Sequence, residues 1–145
     1  MKKNNEYFFI SNKVKILGII IIIAQVIITF VNTNVSWRIV GCIIIMLLIF
    51  IEIDFFHTRL IVYEDKIIIK SFLENTCLFW REIKKIELSK KLNGKLEYIY
   101  VIGIEKTIII TSFYHNHKYL VKLVVNHCKH NKLTYIKEEV LKFIE

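Results

Sequence analysis

The chain has 145 residues, 54% of them hydrophobic, no proline and a formal net charge of +8. That length accommodates one small domain plus a membrane hairpin and leaves no room for a multidomain enzyme, while the hydrophobic share exceeds that of an ordinary soluble domain. Cys42, Cys77 and Cys128 show no paired spacing, which argues against a disulfide framework and fits reduced thiols in a cytosolic domain.

Residues 1–15 read as a cytosolic basic N-terminus, with Lys2, Lys3, Lys13 and Lys15 against Glu6. Tyr7, Phe8 and Phe9 suit a membrane–water interface. Residues 16–56 hold two apolar runs, ILGIIIIIAQVIITFV and IVGCIIIMLLIFIEI, around a short polar break at 32–36. A hydrocarbon core about 30 Å thick needs roughly 20 such residues. Without water, the backbone groups must be satisfied inside a helix. No small-x-small cleavage site follows the first run, so an uncleaved transmembrane hairpin is expected. The lysines before it, with only Arg38 near the break, place both termini in the cytoplasm of a multi-pass cell-membrane protein. Trp37 and Arg38 are the expected interface anchors at the outer end. Gln25 is expected to hydrogen-bond between the helices. Glu52 and Asp54 are expected to mark the end of the second helix; two apart, they do not share a face.

From His57 the period shortens. Short apolar, β-branched runs predict strands over 59–63, 66–72, 76–80, 83–88, 96–104 and 107–111. Asn93-Gly94 is a hairpin signal. Leu120, Leu123, Val124 and His127 or Cys128 then fall on one helical face, and Ile136, Val140, Phe143 and Ile144 on another, with Thr134 a candidate N-cap. The connections are too short for parallel crossovers. The expectation for 57–145 is a bent antiparallel sheet or small barrel with a helix over one open end. This segment carries sixteen basic residues against ten acids, which suits an anionic lipid face. With no recognition motif, nucleic acid is not expected as a partner.

The passages RLIVYEDKIIIKSF, LFWREIKKIEL and KTIIITSFYHNHKYLVKLVV lie between Thr58 and Lys129, behind the hairpin. In that order they resemble the bacterial pleckstrin-homology-like (PH-like) proteins. The resemblance implies an α+β membrane protein: an N-terminal transmembrane helical hairpin, then an antiparallel split β-barrel capped by a C-terminal helix, here Asn116 to Cys128. That fold has seven strands against the six read here. Its inositide-binding relatives carry basic residues at the first hairpin, whereas Tyr63-Glu64-Asp65-Lys66 is acidic at its centre, so inositide binding is not expected.

No Gly-rich phosphate loop or nucleophile elbow is present, so a non-enzymatic role without cofactor is expected. His115, His117, His127, Cys128 and His130 are zinc-ligand types, but ten residues of helix rise about 15 Å, and no metal is expected. Lys84, Lys85, Lys90, Lys91 and Lys95 gather around the Asn-Gly turn. They are the candidate contact for anionic lipid or a partner; the competing reading is that they only solubilise strand edges. Trp80, Tyr98, Tyr100, Phe113 and Tyr114 are expected mainly in the core. The expected function is an interaction or scaffolding module at the cytoplasmic membrane face, with lipids and a protein as partners and self-association open. Two alternatives stand beside it. One is self-immunity against a membrane-active peptide toxin, a role the resemblance allows. The other is an accessory subunit of a membrane transporter.

Overall fold

The computed structural model describes residues 5–73, 75–90, 97–129 and 134–144. Two long helices dominate the first third of the chain: α1 (Asn12–Val31) and α2 (Val35–His57). Each is long and apolar enough to cross a membrane. At about 1.5 Å per residue, α1 is roughly 30 Å long. Ser11 caps α1 through Lys13 N–H, and Asn34 Oδ1 caps α2 through the N–H groups of Ser36 and Trp37. The two helices pack antiparallel along their length, and most of their isoleucines, leucines and phenylalanines point away from the protein.

The rest of the chain forms two four-stranded sheets. The first has the order β1 (Glu6–Phe9), β2 (Arg59–Val62), β3 (Lys66–Lys70), β4 (Asn75–Phe79) and is antiparallel throughout. The second has the order β7 (Thr107–Thr111), β6 (Glu97–Ile102), β5 (Lys85–Lys90), β8 (Tyr135–Ile136). All six strands read from the sequence are present, with ends displaced by no more than two residues; the third lies one residue earlier and the fourth two residues later than expected. Two more join them. β8 lies parallel to β5, so the second sheet is mixed rather than purely antiparallel. β1 comes from the segment expected to be a basic tail. It pairs with β2 across the whole helical hairpin, with Phe8 opposite Leu60 and Phe9 opposite Arg59. The hairpin is therefore an insertion within the first sheet.

One apolar cluster fills the space between the sheets and takes in Phe8, Leu60, Ile67, Leu78, Ile86, Ile99, Val101, Ile108 and Ile110. Helix α3 (His117–Lys129) closes it with Leu120, Val121, Val124, Val125 and Cys128. That face lies one residue beyond the Leu123-centred stripe read from the sequence; Leu123 itself is only partly buried. The last helical pattern also divides. Ile136 is in β8, and only Glu138–Ile144 forms α4, which buries Val140. Thr134 is not a helix cap: its hydroxyl donates to Ile83 O at 2.8 Å, fastening the approach to β8. Ahead of α3, Asn116 adopts φ 54°, a conformation that asparagine tolerates better than most residues.

Candidate interaction surfaces

The helix pair touches where small residues face larger ones. Gly41 lies against Thr29, whose side chain is 3% exposed and whose hydroxyl donates to Gln25 O at 2.8 Å. Gly18 lies against the carboxylate of Glu52. Glu52 is thus not a boundary residue reaching water. It is 8% exposed and turned into the helix pair, and its Oε1 has no hydrogen-bond partner among the described residues. Asp54, two residues on, points elsewhere and accepts the backbone N–H of Leu73 at 3.0 Å. Gln25 lines a cavity of about 160 Å³ between the helices, together with Trp37. Arg38 folds back over the end of α1: Nε donates to Asn32 O at 2.6 Å and Nη2 to Phe30 O at 3.3 Å. It thereby places a cation on carbonyls that the last turn of a helix leaves unpaired.

The lysine cluster does not form one patch among the described residues. Lys84 and Lys85 stand at one end of β5 and Lys90 at the other. Lys85 and Lys90 are five steps apart along the strand, about 16 Å. Lys85 and Lys137 both pair with Glu87, and these contacts hold the Glu87 carboxyl below the usual carboxylate range. Lys91 and Lys95 lie outside the described residues. The β5–β6 end nevertheless has a defined position. Ser112 N–H donates to Glu97 O, and Ser11 N–H donates to Phe113 O at 2.7 Å. Those bonds tie that end of the second sheet to the entrance of α1.

The late histidines point in different directions. His127 stacks flat on Trp80, with ring centroids 4.8 Å apart, and His117 meets the edge of Phe143 at 5.4 Å. His115 is exposed and donates its backbone N–H to Phe9 O. Cys128 is buried, and burial pushes its thiol up to about 12. No group of three or more metal-ligand types forms among the described residues; His130 lies outside them. Trp80 and Tyr114 are in the core, while Tyr98, Tyr100 and Phe113 are half-buried.

His117 yields a pH prediction. Burial holds its pKa below the usual histidine value, with Glu97 opposing weakly, and Nε2 has no partner among the described residues. The unfolded chain then takes up a proton at a pH where the folded chain does not, so stability rises with pH through that range. Thermal unfolding of the protein in micelles should be flat between about pH 7 and 8 and shift to lower temperature as pH falls below about 6.5. The His117→Gln variant should lose that part of the slope. An equally steep profile in the variant would assign the slope to other groups.

Two features lie outside the sequence reading. A groove of about 330 Å³ runs along the open edge of β4, bounded by Cys77, Phe79, Glu82, Ile104 and Lys106. Glu82 accepts the Phe79 N–H there at 3.3 Å, which guards one end of an edge that otherwise invites another strand. The second is the β3–β4 loop. Phe72 and Leu73 are each 62% exposed, and Phe72 sets its ring edge-on against Phe50 of α2 at 5.8 Å. The sequence reading places Phe72 at the end of a strand over 66–72 and only Leu73 in the break, whereas β3 ends at Lys70 and both residues lie in the loop. Nothing local related residue 72 to residue 50.

No protein-family model, curated protein or solved structure matches this chain.

Proposed function

We propose that the protein is a membrane-anchored interaction platform: α1 and α2 cross the cell membrane, and a PH-like domain stands on its cytoplasmic face. The observation that carries this reading is the insertion of the apolar hairpin between β1 and β2. Only Ile10 and Ser11 separate β1 from α1, and only Thr58 separates α2 from β2. Thr58 is itself tied back, its N–H and hydroxyl both donating to Asp54 O, at 2.8 and 2.7 Å. Neighbouring strands lie about 4.8 Å apart, so both helix ends are held at adjacent points of one sheet. A domain joined this way does not swing on a linker. It presents fixed faces at a fixed height, as a scaffold must. Two sheets around one core with α3 across them support the PH-like assignment, and β1 brings the principal strands to the seven that fold requires. The lysines before α1 and in its first turn favour a cytoplasmic domain.

The groove beside β4 is the face best suited to a protein partner, because an open strand edge offers backbone groups to an extended segment. In-cell photocrosslinking from Ile104, which is 62% exposed beside that groove, should yield a discrete protein adduct. The same probe at Tyr119, on the α3 face, should yield a different pattern. Adducts to lipid alone from both positions would overturn the scaffold reading and favour protection of the membrane itself. Co-purification of a large transport protein would instead favour the accessory-subunit reading.

A further inference from the structure

We infer that the tip of the β3–β4 loop, Phe72–Leu73, is a second membrane contact, seated in the interfacial layer of the same bilayer that α1 and α2 enter. This inference rests on the membrane-crossing reading of the hairpin. The first sheet has two unlike ends, and its register says which residues share them. Phe9, Arg59, Lys70 and Asn75 lie in one row across the four strands. Phe9 precedes α1 and Arg59 follows α2, so this row faces the hairpin. The β3–β4 connection leaves the same row and must turn back towards the helices. The β2–β3 turn, with Glu64 and Asp65, is necessarily at the far end.

Three observations place the loop tip at lipid depth. Phe72 packs on Phe50, two turns before the end of α2. Asp54 holds the backbone of Leu73 at that height. Both side chains remain mostly exposed, alongside a hairpin whose own apolar surface is exposed, so the patch is continuous with the surface that lipid would cover. The charges agree. Lys70 leads into the loop and Arg59 pairs with it in the hairpin-facing row, with Lys13 and Lys15 in the first turn of α1; Glu64 and Asp65 occupy the far turn, and Asp54, the acid beside the loop, accepts the Leu73 N–H. Basic residues beside apolar ones are what an anionic headgroup layer accommodates. The acidic first hairpin, unsuited to inositides, lies where no headgroup reaches it. The loop is thus a third foot beside the two helices and fixes the tilt of the sheet.

The test uses the full-length protein in vesicles of phosphatidylcholine and phosphatidylglycerol. An environment-sensitive fluorescent amino acid is placed singly at Leu73, at Met46 in the middle of α2, and at Glu64. Quenchers are carried on lipid acyl chains at shallow or deep positions. The expected result is loss of Met46 emission with deep quenchers, loss of Leu73 emission with shallow ones, and no loss at Glu64. Adding Phe72→Ser should reduce the Leu73 quenching without changing Met46. If Met46 is quenched while Leu73 behaves like Glu64, the inference fails and the membrane-crossing reading stands. If Met46 is not quenched either, the reading fails and takes the inference with it.

Discussion

Exchanging Gly41 for alanine is expected to weaken the helical hairpin by about 1–3 kcal/mol, the usual range for overpacking a close contact. In an unconstrained helix the same exchange favours alanine by about 1 kcal/mol, so the sign is diagnostic. A Cβ at Gly41 would sit 2.6 Å from Thr29 Cγ2 and 2.9 Å from Thr29 Cβ, closer than carbon atoms approach. Thr29 cannot easily yield, because it is β-branched and its hydroxyl is committed to Gln25 O. The helices must then separate, opening the contact along their length. Gly18→Ala should cost less, because what it meets is the flexible end of Glu52 rather than a branched stem. Unfolding in mixed micelles, read by α1–α2 proximity, measures both variants. A neutral or stabilising Gly41→Ala would mean that the helices do not pack at this point.

Truncating Phe8 to alanine should destabilise the domain by about 3–5 kcal/mol, the range for a buried aromatic. Phe9→Ala should stay within about 0.5 kcal/mol, as exposed sites do. The two residues are neighbours, equally aromatic and equally close to the start of the chain. They differ in the face of β1 they occupy: Phe8 is 6% exposed, opposite Leu60 and against Tyr119, while Phe9 is 48% exposed. For a domain of this size, 1 kcal/mol moves the unfolding midpoint by about 4–8 °C, so the contrast is readable by thermal unfolding. Equal, small effects would show that the segment before α1 is a tail and not a strand.

Much of the architecture was legible because it is local. The apolar runs before residue 57 state their own helicity and length. The six strands between 59 and 111 announce themselves by β-branched residues between turn residues. The amphipathic stripe of α3 was misplaced by a single position, since Leu120 and Val124 belong to either neighbouring face. The candidate site was less legible. Lys84, Lys85 and Lys90 are close in sequence, but an extended strand carries them about 16 Å apart, and Glu87 draws Lys85 and Lys137 into ion pairs.

What the sequence by itself determined is therefore the inventory: two long apolar helices, a run of short strands, one amphipathic helix, and basic character on either side of the hairpin. Each follows from spacing within a dozen residues, where backbone preference and side-chain period act. Only the tertiary structure decided how the pieces join. Glu6–Phe9 is too short, and too close to lysines, to declare itself a strand; it becomes one because Leu60, fifty-two positions later, offers its edge and a place for Phe8. The same register turns Phe72 and Leu73 towards the hairpin and the acidic turn away from it. Ile136 leaves its helical pattern because the N–H groups of its neighbours Tyr135 and Lys137 donate to Lys84 O and Ile86 O along the β5 edge, and Thr134 is drawn there by its hydroxyl on Ile83 O. Pairing and burial depend on residues distant in the chain, and no local period encodes them.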